Sequence, residues 1–398
     1  MRLLMVTAYH EPAYVYGGTV SSISHLCKMF LKLEIDVKFF TTNASGTGDL
    51  ETPTEKPVLV NGLLIHYFRR WWFGCTQKPS RIFFSPAMGR SLAKIKNGDF
   101  DLICIHSSFC DPGRLAFNAA RRTGIPYICY THGSFEPWAI QHKYWKKIIY
   151  MSLVERRILK HAAGIIVCNE AETKQLREMG VKTPIRKIPW GVDIPDPDTI
   201  PNRQKLEELY PALSGRPFLL FLSRLHPKKG LDLLFPAFAS LSQQFPDWLL
   251  VVAGPSESGY KEKVLKLVAT LDLGSRVLLT GMVTGELKAA LLAQAEFLTL
   301  PSFSEGFPMV VAEALGYGRP VVITETCYMP EVGEYGAGLV VPVQRQALTT
   351  ALGEMMGDTS LRMNCSQNAI KLARNLFTWE AVAKQNLEFY REIINVKR

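Results

Sequence analysis

Apolar residues in this chain fall into short continuous runs, and the stretches between the runs carry helical spacing. Residues 2–7, 37–41, 101–106, 126–131 and 164–168 each form such a run. Unbroken rather than alternating apolarity suits strands covered on both faces. Within 19–33, Val20, Ile23, Leu26, Cys27 and Phe30 fall on one helical stripe, and further helical stretches lie near 85–97, 112–123 and 143–161. The segment 189–201, PWGVDIPDPDTIP, holds four prolines and three aspartates. It can be neither a helix interior nor a central strand, so it reads as a linker. A second series follows, with strands expected at 217–223, 248–253, 276–280, 297–301 and 320–324. The last helix, 378–395, carries Val382, Leu387, Phe389 and Ile393 on a mostly apolar stripe. Strand and helix in alternation predict parallel sheets covered by helices, built twice.

Composition narrows the class. The 398 residues are 47% hydrophobic and 21% charged, enough for a real core, which excludes disorder, collagen and coiled coil. Apolar runs such as 217–222 and 248–253 fall far short of the roughly 20 residues of a membrane span. The apolar stretch at the start, 3–6, is too short for the core of a signal peptide. The expectation is a soluble, cytoplasmic protein. Eight cysteines without a CxxC pair argue against a zinc ribbon or a disulfide framework; Cys104, Cys129 and Cys168 lie in strand-like runs. Lys and Arg outnumber Asp and Glu by 46 to 36, a balance of +10 that favours acidic partners without choosing among them.

Doubly wound sheets bind ligands at the carboxyl ends of their strands, so chemistry is sought in the loops that follow them. After 217–223 comes Ser223-Arg224-Leu225-His226-Pro227-Lys228-Lys229-Gly230. Arg224 and Lys229 flank a turn and suit one phosphate, a bidentate guanidinium beside a point charge. The plainer reading is a solvated basic loop. After 297–301 comes Ser302-Phe303-Ser304-Glu305-Gly306-Phe307-Pro308, then Met309-Val310-Val311-Ala312-Glu313. Gly306 permits close backbone approach, Pro308 suits a first helical turn, and amides at a helix start can hold an anion. Glu313, in an apolar stretch, needs a partner such as a ribose diol. The plainer readings are a structural ion pair for Glu313 and a helix cap for Glu305.

Glu305-x7-Glu313 with SRLHPKKG upstream resembles the donor-site signature of the family four retaining glycosyltransferases. Further matches, in order along nearly the whole chain, are similar to that family. They are Gly17-Gly18 after the first strand, Thr131-His132-Gly133, Ala253-Gly254-Pro255 with Gly259-Tyr260, Leu279-Thr280-Gly281, and Phe377-Thr378-Trp379. The resemblance implies the α/β GT-B fold: two Rossmann-like, doubly wound domains facing a central cleft, with a C-terminal helix crossing back. Its boundaries here would be 1–190 for an acceptor-binding domain, 191–202 for the linker, 203–376 for a donor-binding domain and 377–398 for the returning helix.

The resemblance also implies roles. Arg224 and Lys229 would neutralise the donor diphosphate as it leaves. Glu305 would bind sugar hydroxyls, and Glu313 the ribose. Phe307, Pro308, Met309 and Val310 at the helix start would face phosphate and sugar with backbone amides. Gly17, Gly18 and Gly254 would let backbone approach the donor, and Gly281 lies in the turn that meets the base. His132 would contact the transferred sugar, as a binding residue first and a general base only secondarily. No metal or other cofactor is expected, because fixed cations aimed at the departing oxygen lower the barrier. The donor implied by family frequency is a UDP-hexose first and GDP-mannose second, and the acceptor a saccharide or lipid-linked glycan in polysaccharide or glycoconjugate synthesis.

The stretch HGSFEPW from His132, followed by a basic and aromatic helix at 143–160, resembles a subset acting on surface polysaccharides or lipid-linked glycans. Lys143, Lys146, Lys147, Arg156, Arg157 and Lys160 interleave there with Tyr144, Trp145, Ile148, Ile149 and Tyr150. Such a helix can lie on an anionic membrane, joined by 68–73, or pack on the core with a solvated basic face. Two alternatives stand beside the transferase: a sugar-nucleotide epimerase or phosphorylase on the same fold, and a non-enzymatic binder of membrane or nucleic acid. The combined motifs disfavour the first, and the lack of a nucleic-acid-binding motif disfavours the second.

Overall fold

A computed structural model describes residues 1–73, 78–79, 82–106, 108–135, 150–256 and 259–396. The chain forms two compact units, one of Met1–Gly191 with Trp379–Arg398 and the other of Val192–Thr378. Both are α/β units of the Rossmann type.

Eight strands build the main sheet of the first unit: β1 (Arg2–Val6), β2 (Asp36–Thr42), β3 (Val58–Val60), β4 (Leu63–Phe68), β5 (Leu102–Ile105), β6 (Tyr127–Tyr130), β7 (Gly164–Val167) and β8 (Ile185–Lys187). Their order is β8-β7-β6-β5-β1-β2-β4-β3. All neighbours are parallel except the β3–β4 hairpin at the edge. Every residue of β5, β6 and β7 is buried, which is why these strands read as unbroken apolar runs. The β3–β4 hairpin escaped the sequence reading because its edge alternates: Leu59 and Leu64 face out, while Leu63 and Ile65 are buried.

Six parallel strands build the second unit: β9 (Phe218–Leu222), β10 (Leu249–Ala253), β11 (Val277–Gly281), β12 (Phe297–Leu300), β13 (Val321–Thr324) and β14 (Gly338–Val341). Their order is β11-β10-β9-β12-β13-β14, the Rossmann order in which direction reverses between the first and fourth strands. β9, β10, β12 and β13 are fully buried.

The helices that matter for the site are α1 (Gly18–Lys32), α2 (Asp111–Thr123), α3 (Glu170–Glu178), α4 (Leu231–Ser240), α5 (Gly285–Gln294), α6 (Met309–Gly316) and α7 (Trp379–Val396). The last of these, α7, packs on the first unit. A Cβ at Gly164 would stand 2.7 Å from the Phe389 ring, and one at Gly191 2.4 Å from Trp379, so both positions need glycine. Tyr130 Oη donates to Asn386 Oδ1 at 2.6 Å and also meets Tyr390 Oη, fastening α7 to β6. The proline-rich segment after Gly191 belongs with the second unit instead of standing apart as a linker. Val192 N donates to Phe377 O at 2.6 Å, and Ile194 lies against Gly316.

Candidate active site

In the second unit strand order reverses between β9 and β12, the place at which a doubly wound sheet takes a ligand, so the loops after these two strands are the candidate site. Close backbone contact builds it. Gly230, at φ +73, precedes α4, and a Cβ there would meet Pro301 O at 1.9 Å. Phe303 N donates to Lys228 O at 2.8 Å, so the two loops run side by side. The loop after β10 joins them. Gly254, at φ +141, sits where a Cβ would stand 1.9 Å from Ser223 O, and its N–H donates to Gly281 O at 2.7 Å. Leu225 N donates to Pro255 O at 2.8 Å. The turns singled out after β9, β10, β11 and β12 thus form one surface.

Lys229 and Glu305 meet on it. Lys229 Nζ lies 2.6 Å from Glu305 Oε1, with side-chain exposures of only 14% and 8%. Ser302 Oγ donates to the same oxygen at 2.5 Å, and Ser302 O in turn accepts from Thr324 Oγ1 and Thr326 Oγ1. An ammonium has three N–H donors, so Glu305 fixes the head of Lys229 while leaving it capacity for an anion. Arg224 is exposed five residues earlier on the same loop. The cap reading of Glu305 is not realised: the N-cap of α6 is Pro308, without a side-chain cap.

Glu313, on the second turn of α6, is paired with Lys288 of α5 (Nζ to Oε1, 2.7 Å) and its side chain is a quarter exposed. The ion-pair reading therefore describes its present contact, and its exposure leaves it reachable by a ligand hydroxyl. Nothing in the sequence marked Lys288, which sits in a helix without a motif 25 residues earlier. At the helix start, Pro308 has no N–H and Met309 N donates to Phe307 O at 3.0 Å. What that turn can offer an anion is thus reduced to the amides of Phe307 and Val310. The Phe307 ring packs edge-on against Phe377, 5.8 Å between centroids.

In the first unit, Gly17 (φ +87) caps α1, and no atom lies within 4 Å of a Cβ built on Gly17 or Gly18. Packing does not demand glycine at Gly18. Thr131 to Ser134 form a tight turn in which Ser134 N donates to Thr131 O at 2.9 Å and both central residues, His132 (φ +50) and Gly133 (φ +78), have positive φ. Histidine tolerates that region better than most side chains, and glycine freely. Beneath the turn, the fully buried Glu172 of α3 accepts from Thr131 Oγ1 at 2.7 Å, Phe135 N at 3.2 Å and Cys168 N at 3.3 Å. Sequence reading passed over Glu172, because a carboxylate in the first turn of a helix reads as a surface cap. His132 itself is half-buried, its ring 5.1 Å from that of Trp190 and nearly parallel to it. Burial pushes its pKa down to about 3, so the ring is neutral at physiological pH.

Glu155, also missed, ties the loop after β5 to the helical stretch described from Tyr150 to His161. It is buried, and its Oε2 accepts from Phe109 N at 3.0 Å, a residue at φ +57. Burial raises its pKa from 4.5 to about 7, only partly offset by its hydrogen bonds. The folded state then holds the extra proton between these two values, so stability is greatest on the acid side and is lost as pH rises towards 7. Glu155→Gln is expected to exceed wild type by roughly 1–3 kcal/mol in urea unfolding at about pH 8, with the gap closing near pH 5. A gap that does not change with pH would contradict this.

Of the basic helix read at 143–160, residues 143–149 lie outside the described residues. In the described part Arg156, Arg157 and Lys160 are exposed while Ile158 and Leu159 are buried, the pattern of a core-packed helix with a solvated basic face. Part of the stretch 68–73 is also internal: Phe68 and Arg70 are buried, Arg70 pairs with Asp49 at 2.7 Å, and Trp72 Nε1 donates to Asp49 at 2.5 Å. Trp71 is half exposed. No helix among the described residues is long and apolar enough to cross a membrane.

Comparison with known proteins bears on the family and the fold. Residues 16–195 match the family model described as Glycosyltransferase Family 4, and residues 202–372 match that of Glycosyl transferases group 1. The chain is similar to alpha-D-kanosaminyltransferase of Streptomyces kanamyceticus, at 25% identity over 73% of this chain and 77% of that protein. It is likewise similar to D-inositol 3-phosphate glycosyltransferase of Salinispora tropica, at 26% identity over 95% of this chain and 81% of the other. Among solved structures, HepE of Anabaena in complex with UDP and glucose superposes with a TM-score of 0.74 at 20% identity, covering 98% of this chain and 100% of that one. At that identity the likeness is one of fold.

Proposed function

Because the chain belongs to the group 1 and family 4 glycosyltransferases of GT-B fold, whose two models together match most of it, we propose that it moves a hexose from a UDP-sugar to a saccharide hydroxyl, free or lipid-linked, with retention of anomeric configuration and without a metal. GDP-mannose is the second donor to consider. The observation that carries the reading is the Lys229–Glu305 pair at the strand-order reversal, with Arg224 on the same loop and Glu313 on α6. Breaking the bond between anomeric carbon and phosphate leaves a cationic sugar and an anionic diphosphate. Arg224 and the spare donors of Lys229 stabilise that anion as it forms, the work a metal does elsewhere. Glu305 holds sugar hydroxyls while orienting Lys229. Glu313, turning from Lys288, takes the ribose. His132 is the residue that the family resemblance assigns to the transferred sugar, and its neutral ring fits a hydrogen-bonding role. UDP is put ahead of GDP by family frequency, and HepE, alike in fold, is a structure with UDP and glucose.

A thermal-shift panel of nucleoside diphosphates and their sugars reads the donor directly. The cognate nucleotide at about a hundred times its Kd should add about 2.7 kcal/mol of stability. UDP compounds are expected to raise the midpoint most. A panel in which no nucleoside diphosphate shifts it would contradict the proposal, and a shift confined to GDP compounds would reassign the base.

A further inference from the structure

Three histidines, His10, His106 and His132, sit in the loops after β1, β5 and β6, three adjacent strands of the first unit. His106 is buried and its ring stacks on Tyr130, centroids 4.0 Å apart. Its Nδ1 lies 3.3 Å from Nε2 of His132. The two imidazoles are within 15° of parallel with centroids 5.3 Å apart. That separation is too long for face-to-face stacking at such an N···N distance, so the rings meet edge to edge, as a hydrogen bond requires.

From this geometry we propose that His106 holds His132 in its Nδ1–H tautomer, so that His132 meets its ligand as a neutral hydrogen-bond donor and not as a base. Each neutral imidazole carries one N–H, so only two arrangements satisfy the contact. If His132 Nε2–H donated, the proton of His106 would sit on its own Nε2, which is buried without a partner among the described residues. A buried N–H left unmade is rarer and costlier than a spare acceptor lone pair. In the other arrangement His106 Nδ1–H donates to His132 Nε2, and the orphan on His106 is only a lone pair. The hydrogen of His132 is then on Nδ1. Of the groups that face His106, His132 and His10 are both pushed by burial to pKa values of about 3, so no neighbouring imidazolium disturbs the arrangement. The phenol of Tyr130, the third neighbour, is buried and un-ionised. His106 is in this account a positioning residue: it touches no substrate and acts through the tautomer of His132.

The inference deepens the reading that His132 contacts the transferred sugar, and rests on it for its functional meaning. A ring N–H directed at a sugar oxygen binds. A ring whose Nε2 lone pair is already engaged by His106 does not take the acceptor proton through that atom.

Ring-15N-labelled histidine in the full chain tests it, with two-bond proton–nitrogen correlation spectra near pH 7. His132 is assigned by the signals lost in His132→Gln. The expected spectrum gives His132 a pyrrole-type Nδ1 and a pyridine-type Nε2. In His106→Phe, which keeps a ring on Tyr130, His132 should move to a mixture of tautomers and turnover should fall about tenfold. A pyrrole-type Nε2 in the wild-type spectrum overturns the proposal, as does a tautomer that stays put in a folded His106→Phe. The wild-type spectrum decides alone should the variant not fold. It also needs no turnover: if no nucleotide sugar is a substrate, the transferase reading falls while the tautomer is still measured.

Discussion

Lys229→Met is expected to abolish detectable glycosyl transfer and to destabilise the protein by about 3–5 kcal/mol, the cost of leaving a buried charge without its partner. Glu305 is that charge. Its side chain is 8% exposed, and with the ammonium gone the hydrogen bond from Ser302 Oγ does not neutralise it. Two effects are mixed in this variant, and a second substitution separates them. Lys229→Met with Glu305→Gln removes both charges, so most of the stability should return, since a neutral amide can still accept from Ser302. Turnover should not return, because the group that meets the leaving diphosphate is still missing. Urea unfolding and a coupled assay for released nucleotide read the two outcomes. Recovery of activity in the double variant would show that Lys229 serves only to neutralise Glu305.

The second large effect is steric. Gly254→Ala places a methyl group 1.9 Å from Ser223 O at a backbone φ of +141 that L residues rarely adopt. Neither side can yield cheaply, since the obstacle is main chain and the N–H of Gly254 is committed to Gly281 O. The loops after β9, β10 and β11 would have to part. A loss of at least about 3 kcal/mol is expected, from backbone strain and overpacking together. Gly274→Ala is the matched control. Its Cβ would meet nothing within 4 Å and its φ is ordinary, so it should change stability by less than about 0.5 kcal/mol. Equal midpoints for the two variants in thermal unfolding would refute the view that glycine at position 254 joins these loops.

What the sequence disclosed follows from how each residue does its work. Strands buried on both faces announce themselves as apolar runs, so β1, β5, β6, β7, β9, β10, β12 and β13 were legible to within a residue or two, and the half-buried edge strand β11 still shows its Val-Leu-Leu run. Loops after those strands were legible because Gly, Pro and cations punctuate them. The edge hairpin of β3 and β4 was not, since one of its faces is solvated and the pattern weakens. Partners that meet only in three dimensions left no local trace. Lys288 lies in a helix without a motif or a clear apolar stripe, yet reaches Glu313 across the fold. Glu172 and Glu155 look like surface acids in helical stretches, and only burial shows that they brace the turns at Thr131 and Phe109. His106 ends an apolar strand run, where a satisfied core histidine is the ordinary reading; its contact with His132 depends on β5 and β6 lying side by side.

Whether Lys229 holds the leaving diphosphate is read by calorimetric titration of UDP into wild type and into the folded Lys229→Met/Glu305→Gln variant. UDP lacks the transferred hexose, so the loss of Glu305 as a ligand of that sugar's hydroxyls does not enter. Binding to wild type is expected, with an affinity at least about tenfold weaker in the variant, the worth of a charge-assisted hydrogen bond to phosphate. Undiminished affinity in the variant would contradict it, for Lys229 would then have no part in holding the diphosphate.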